Sequence, residues 1–130
     1  MNGLGYKAKF ITAFAGDKDG EKIKFYTVGS GESGSMFKGH AETAAALNSF
    51  YYTDQLTIDT LTEKVNFIPD LIKIDVEGSE SYALEGAKKT ASLGKSKFLV
   101  EMHSPPELPM SENADRVLKW CKETGLMHII

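Results

Sequence analysis

The segment PDLIKIDVEGSE (residues 69–80) constrains the fold of this chain more than any other stretch. Its short apolar run predicts a buried strand, and Asp75 and Glu77 follow that run directly. Ser79 can cap a helix that begins behind it, and Glu80 in the first turn suits the helix dipole. The segment therefore predicts a strand that ends in carboxylates where a helix begins.

The rest of the carboxyl-terminal half repeats this alternation. An apolar stripe predicts one helix that closes at Gly94, and KSKFLVEMH (residues 95–103) predicts the next strand. A second helix is expected from about Ser111 to Gly125, and LMHII (residues 126–130) predicts a further strand. The inward-facing residues predicted for the two helices are Ala83, Leu84, Ala87, Ala91, Ala114, Val117, Leu118 and Cys121.

Alternating strands and helices are typical of a parallel sheet with helices packed on its faces. Ligands of such sheets bind beyond the carboxyl ends of the strands. Asp75, Glu77, Glu101 and His103 follow two of these strands, and Asp17 follows an earlier one. We therefore expect these five polar side chains at one edge of the sheet.

The amino-terminal part predicts antiparallel structure instead. Residues 6–15 and 21–28 each have the composition of a strand, and Asp19 with the glycine after it is a strong signal for a hairpin turn. Residues 29–54 predict a loop with one short helix, and residues 55–61 predict a strand that leads into a short amphipathic turn. The expected fold class is α/β, mostly parallel, with an antiparallel hairpin near the amino terminus.

The sequence VGSGESGSMF contains one G-x-G-x-x-G pattern, formed by Gly29, Gly31 and Gly34. A dinucleotide-binding loop of this kind needs a strand before it and a helix that starts within it. Here the preceding strand is the return arm of the predicted hairpin, and no clear helix start follows. The pattern therefore favours a glycine-rich loop that flanks a site over a loop that binds a cofactor.

Composition argues against several classes of protein. With 130 residues the chain is expected to form one domain (residues 1–130), and 42% hydrophobic and 25% charged residues indicate a globular protein. The net charge of −3 argues against a nucleic-acid partner, and no apolar run approaches the length that spans a membrane. No signal peptide is evident, and the single cysteine, Cys121, fits a reducing compartment, so we expect a cytoplasmic protein.

The same segments resemble the FkbM family of S-adenosylmethionine-dependent methyltransferases. The strongest match is PDLIKIDVEGSE, followed by ALEGA (residues 83–87), and VEMH (residues 100–103) is similar to the family's acidic strand end. AFAGDKDGEKIKFY, SGESGSMF and LTIDTL resemble further segments, so the match covers most of the chain. The resemblance implies a partial Rossmann-like sheet, S-adenosylmethionine as cofactor, and methyl transfer to a hydroxyl of a small molecule or sugar.

The resemblance also implies that part of the family's domain is absent. Members normally begin with a strand, a glycine-rich loop and a helix that hold the methionine part of the cofactor, and these would precede Met1. Two central strands would then be missing, which would leave sheet edges unpaired. We therefore expect a carboxyl-terminal part of the domain. The alternative is a non-catalytic module that associates through an open sheet edge.

The predicted catalytic residues are Asp75, Glu77, Glu101 and His103, and the predicted cofactor-binding residues are Gly16, Asp17 and Asp75; the resemblance implies the roles of Asp17 and Asp75. Asp17 would lie beside the adenine, and Asp75 would lie near both the methyl group and the acceptor. His103 would act as the base, since an ordinary imidazole pKa of ~6.5 suits neutral pH, and Glu101 would orient it or help the acceptor bind.

Each of these residues also has a purely structural interpretation. Asp75 and Glu77 can cap the following helix, Asp17 is a common turn residue, and His103 before two prolines can be a solvated loop residue. Asp75, Glu77 and Glu101 carry the oxygen atoms that magnesium prefers, although no metal is expected. The Asp-x-Glu pair also leaves metal-dependent phosphoryl transfer open, but Glu77 is one methylene longer than the aspartate usual in such sites.

Overall fold

The computed structural model describes residues 8–29, 34–39 and 41–126. Its strands are β1 (Phe14–Ala15), β2 (Lys22–Thr27), β3 (Gly34–Ser35), β4 (Phe50–Leu56), β5 (Leu71–Ile74) and β6 (Lys97–Val100). Its helices are α1 (Glu42–Ala46), α2 (Ile58–Val65), α3 (Glu80–Glu85), α4 (Lys88–Ser92) and α5 (Met110–Thr124). The alternation of strand and helix from β5 to α5 confirms the α/β class.

The strands form two sheets rather than one mostly parallel sheet. The mixed sheet has the order β1-β4-β2-β3, in which β1 and β4 are parallel and the other neighbours are antiparallel. The parallel sheet consists of β5 and β6. The prediction of a mostly parallel, Rossmann-like sheet is therefore confirmed only in part.

The predicted hairpin between β1 and β2 is wrong in its pairing, because β4 lies between these two strands. The turn residue Asp19 instead forms hydrogen bonds at the start of α2. Its carboxylate accepts hydrogen bonds from the backbone N–H of Thr57 at 2.9 Å and from the hydroxyl of Thr60 at 2.8 Å. These bonds, that from Thr57 first, hold the pKa of Asp19 below its usual value. The turn thus reverses the chain without pairing the strands on either side of it.

The segment after β2 is more regular than its composition indicates. β3 pairs antiparallel with β2, α1 confirms the predicted short helix, and β4 begins at Phe50 rather than at Gln55. Helix α2 occupies residues for which only a strand end and a turn were predicted. Thr57 caps this helix, because its hydroxyl oxygen accepts the N–H of Thr60 at 3.1 Å.

The single helix predicted between β5 and β6 is instead two helices, α3 and α4. The break lies at Gly86, where any side chain would collide with the carbonyl oxygen of Gly16. Asp59 of α2 caps the start of α4, accepting the backbone N–H groups of Lys89 at 3.0 Å and Thr90 at 2.8 Å. A buried glycine and a cap from a distant helix leave no signal in the local sequence.

The hydrophobic core lies between the parallel sheet and helices α3, α4 and α5. Its buried residues are Ile74, Ala83, Leu84, Ala87, Ala91 and Trp120, which confirms the stripe predicted after β5. Phe98 contacts Trp120 edge-on, with ring centroids 5.1 Å apart. On α5 the inward position predicted for Leu118 is wrong, because 40% of this residue is exposed, whereas Asn113 is buried.

Two sequence predictions involve residues that are not described. Gly31 of the glycine pattern and residues 127–130 of the predicted last strand lie outside the described residues. Gly34, the last glycine of the pattern, opens a strand that pairs with β2 rather than a helix. Among the described helices, none has both the length and the apolar character needed to cross a membrane.

Candidate active site

The loop after β5, residues 75–79 (the acid loop), carries two acids and has an unusual backbone conformation at two positions. Glu77 has a φ of +50° and Gly78 a φ of +99°, both in the left-handed region. Glycine is required at the second position, because a Cβ there would lie 2.7 Å from Cδ of Pro105. A left-handed glutamate costs roughly 1–2 kcal/mol. The hydroxyl of buried Ser35, in β3, helps to hold it by donating a hydrogen bond of 2.8 Å to the carbonyl of Glu77.

The parallel register of β5 and β6 brings the ends of both strands to one edge. The backbone N–H of Glu101 donates to the carbonyl of Ile74 at 2.9 Å, so the residues after both strands start side by side. Two residues further on, Nε2 of His103 lies 3.7 Å from Oε2 of Glu77 and 4.0 Å from Oδ1 of Asp75. The structure thus brings four of the predicted site residues together.

Lys73 offsets part of the negative charge at this edge. Its Nζ atom lies 2.9 Å from Oδ2 of Asp75 and 3.7 Å from Oε2 of Glu101. The hydrogen bond from Lys73 holds the pKa of Asp75 below its usual range. Asp75 is therefore ionised at neutral pH, and it is better suited to attract positive charge than to take up a proton.

The buried partner of His103 is Glu80, the first residue of α3. The Glu80 side chain is fully buried, and its Oε1 atom accepts the N–H of Gly78 at 3.0 Å and lies 2.7 Å from Nδ1 of His103. Asn113 of α5 donates to Oε2 of Glu80 at 3.3 Å and to the backbone carbonyl of His103 at 3.1 Å. An ionised Glu80 can only accept in this contact; Nδ1 is then the donor, and Nε2 faces the acids.

These surroundings raise the pKa of His103 above its usual value. The main cause is the hydrogen bond with Glu80; burial acts in the opposite direction, and the negative charges of Glu77 and Asp75 add to the increase. The His103 side chain is 20% exposed. The interpretation of His103 as a solvated loop residue is therefore wrong, because a buried carboxylate holds its ring.

Sequence analysis missed the role of Glu80 and assigned it only to the helix dipole. The predicted cap is also wrong, because the hydroxyl of Ser79 donates to the carbonyl of Val76 at 2.8 Å and makes no cap hydrogen bond. Glutamate is almost never fully buried unless it is paired. The partner here lies 23 residues away along the chain, so no local pattern reveals the pair.

Asp75 and Glu77 line a cleft of about 340 Å³. The mixed sheet contributes Phe25 and Tyr51, whose ring centroids are 5.6 Å apart, and residues 12–15 line it as well. Gly34 also lines this cleft. The cleft therefore joins the carboxylates of the acid loop to an aromatic surface of the mixed sheet.

Gly16 and Asp17 follow β1, which belongs to the mixed sheet. Residues 12–15 line the cleft, and the chain then runs on to Gly16, which packs on Gly86 at the carboxyl-terminal end of α3. Because β1 is not part of the parallel sheet, the predicted shared strand edge applies to the other four residues and not to Asp17. Its carboxylate instead accepts a hydrogen bond of 3.0 Å from the side-chain amide of Gln55.

Three of the clustered residues carry atoms of the kinds that bind metal ions. Asp75, Glu101 and His103 offer ligand atoms that all lie within 4.8 Å of one another. Lys73 already pairs with the carboxylates of both Asp75 and Glu101. A metal ion at this position would compete with the lysine for the same oxygen atoms.

Comparison with known proteins gives one significant result. The family model of the methyltransferase FkbM domain matches residues 3–125, nearly the whole chain. Neither the curated protein sequences nor the solved structures include a significant match. The matched range contains both sheets, the acid loop and His103. On this evidence the chain belongs to the FkbM methyltransferase family.

Proposed function

We propose that this chain transfers a methyl group from S-adenosylmethionine to a hydroxyl of a small molecule or sugar. Membership of a methyltransferase family supports the reaction class. The observation that carries the proposal is the position of His103 Nε2, 3.7 Å from Glu77 and 4.0 Å from Asp75, two acids that line a cleft. A positioned base beside a cleft is what deprotonation of an acceptor hydroxyl requires.

The residues of the cleft fit the cofactor in two respects. S-adenosylmethionine, when bound, supplies a methyl group on a positively charged sulfur. The rings of Phe25 and Tyr51 offer apolar surface to a flat heterocycle, and ionised Asp75 suits a positive charge. Gly16 and Asp17 do not line this cleft, so their place beside the adenine stays a prediction.

In this proposal the Nε2 atom of His103 takes the proton of the acceptor hydroxyl. Only the neutral imidazole can do so, and its raised pKa means that the neutral form becomes dominant only above the usual pH of about 6.5. The carboxylate of Glu77 would stabilise the imidazolium that results. Glu101 shares Lys73 with Asp75, and we propose that it helps to fix the position of that aspartate.

Calorimetry and a methyl-transfer assay test this proposal. S-adenosylmethionine is titrated into the 130-residue chain, and transfer of its labelled methyl group is then measured with sugars and small alcohols. We expect Asp75→Asn to weaken cofactor binding, and His103→Gln to leave binding intact but reduce turnover by about 10²-fold or more. Asp115→Asn, an exposed change on α5, is the control and should alter neither. Unchanged turnover in His103→Gln, or no binding by the unmodified chain, would contradict the proposal.

A second candidate function is an assembly module, and the sheet edges favour it. Within the described residues, β1 pairs only with β4, and β5 pairs only with β6. A largely apolar slot of about 300 Å³ lies between β1, α2 and β5. Its lining includes Ala15, Ile58, Leu61, Val65, Ile72 and Ile74. Unpaired strand edges next to apolar surface favour pairing with another chain. We propose that a second copy of this chain would be the partner.

Sedimentation over a range of protein concentrations tests the assembly proposal. We expect the weight-average mass to rise with concentration. Leu71→Lys, at a residue of β5 that is 59% exposed, should suppress the rise, because charge on an edge strand blocks pairing. Leu118→Lys on α5 is the matched control and should leave association unchanged. A monomer at every concentration would contradict the proposal.

A further inference from the structure

We propose that Glu80 is a positioning residue for His103: it fixes the imidazole so that Nε2 points to the acids and stabilises the ring after it takes a proton. This inference rests on the proposed function, because it concerns the residue assigned there as base. Its geometric basis is a direct contact of 2.7 Å between Oε1 of Glu80 and Nδ1 of His103.

The environment of Glu80 is built around its carboxylate. The side chain has no exposed surface, and a buried charge is tolerated only when hydrogen bonds compensate for lost hydration. Three groups supply this compensation: the N–H of Gly78, the imidazole of His103 and the side-chain amide of Asn113. A glutamate that served only the dipole of α3 would need none of these three partners and would not need to be buried.

Asn113 extends the arrangement to the backbone of His103. Its amide donates to Oε2 of Glu80 and also to the carbonyl of His103 at 3.1 Å. The ring and the backbone of this histidine are therefore both held by one network that joins the start of α3, the loop after β6 and α5. Such a network leaves the imidazole little rotational freedom, which preorganises it for proton transfer.

The charged groups around His103 differ in the ring atom that they approach. Glu80 of α3 is bonded to Nδ1, whereas Asp75 and Glu77 of the acid loop lie on the Nε2 side. Glu101 also has a carboxylate oxygen within 4.8 Å of a ring nitrogen of His103, and Lys73 contacts both Asp75 and Glu101. Removing the charge of Glu80 therefore changes the support of the ring without changing the groups that face its reactive nitrogen.

Nitrogen NMR of the imidazole tests the inference on the unmodified chain. We expect the neutral ring to carry its proton on Nδ1, the tautomer that donates to Glu80 and leaves Nε2 able to accept. A neutral ring protonated on Nε2 would overturn the inference. This measurement requires no variant and no methyl-transfer activity.

Glu80→Gln tests the same idea through the charge. Glutamine keeps the size and the acceptor oxygen but removes the negative charge, so we expect the midpoint of the His103 titration to fall by about one pH unit or more. The pH at which kcat is half-maximal should fall by the same amount, with KM for the cofactor unchanged. Asp115→Asn should leave both midpoints in place. An unchanged midpoint in Glu80→Gln would overturn the inference.

The two proposals can fail separately. If the tautomer and the titration shift are as expected but no methyl transfer is detected, the positioning of the ring stands and the proposed reaction is wrong. If methyl transfer occurs and depends on His103, but the titration does not respond to Glu80→Gln, the reaction stands and the positioning role is wrong.

Discussion

The hydroxyl of Ser35 in the mixed sheet donates a hydrogen bond of 2.8 Å to the backbone carbonyl of Glu77 in the acid loop. The two residues are 42 positions apart, and Ser35 is only 1% exposed. This bond links the mixed sheet to the acid loop, which follows the parallel sheet and carries two acids of the candidate site. The unusual backbone conformation of Glu77 is therefore supported from outside its own loop.

Removing this bond should affect activity more than stability. We expect Ser35→Ala to lower the free energy of unfolding by about 1 kcal/mol, and to lower turnover because the acid loop loses an anchor. Urea denaturation and the methyl-transfer assay measure the two effects. Ser49→Ala is the matched control, because the hydroxyl of Ser49 donates to the carbonyl of Thr27 at 2.6 Å without contacting the acid loop. Equal losses of turnover in the two variants would show that Ser35 has no special role.

A methyl group at Gly78 should be more damaging than one at another left-handed glycine. Gly78→Ala combines left-handed strain of roughly 1–2 kcal/mol with a collision against Pro105, whose Cδ would lie 2.7 Å from the new Cβ. Gly94→Ala is the control, since its φ of +67° gives the same kind of strain but no atom lies within 4 Å. We expect the larger loss of unfolding free energy, and a loss of cofactor binding, in Gly78→Ala alone. Similar values for both variants would contradict the importance of the collision.

The sequence predicts the parts of the candidate site that depend on strand ends. A short apolar run followed by acids indicates which residues leave a buried strand, and parallel strands display their carboxyl ends together. This reasoning correctly places Asp75, Glu77, Glu101 and His103 at one edge. It does not extend to Asp17, because β1 belongs to the mixed sheet and not to the parallel sheet of β5 and β6.

The parts that sequence analysis missed depend on contacts between distant residues. Glu80 and Asn113 are polar residues at helix positions that resemble solvent-exposed ones, and only their burial against His103 reveals their role. Likewise, the insertion of β4 between β1 and β2 depends on pairing across the sheet, which a local turn signal does not determine. Strong local signals therefore identified elements, while long-range hydrogen bonds decided how those elements meet.

Helix α4 should depend on a residue of α2. Asp59 accepts the backbone N–H groups of Lys89 and Thr90 and also the hydroxyl of Thr90 at 2.7 Å. We expect Asp59→Ala to lower the free energy of unfolding by about 1–2 kcal/mol, as loss of a helix cap does. Thermal and urea denaturation measure this loss, and Asp115→Asn should show little change. The midpoint of the His103 titration should be the same in Asp59→Ala as in the unmodified chain. A shifted midpoint would show that the cap of α4 affects the candidate site.

The raised pKa of His103 should make stability depend on pH with a definite sign. The folded protein binds this proton more tightly than the unfolded chain, in which the pKa is about 6.5. The contribution to stability is therefore complete below pH 6.5 or so, and it is lost as the pH rises through the higher folded pKa. The contribution of Asp75 to stability has the opposite sign, because its pKa is lowered in the folded protein. This contribution is complete at pH values above the usual carboxyl pKa and is lost only when the solution becomes acidic.

We therefore expect urea denaturation to show a free energy of unfolding that decreases as the pH rises from slightly acidic to slightly alkaline values. His103→Gln should flatten this part of the curve, because glutamine has no proton to lose there. Glu80→Gln should reduce the slope, since the main cause of the raised pKa is the hydrogen bond with Glu80. A slope that persists unchanged in His103→Gln would assign the effect to another group. An increase of stability with pH in this window would contradict the pairing of His103 with the buried carboxylate.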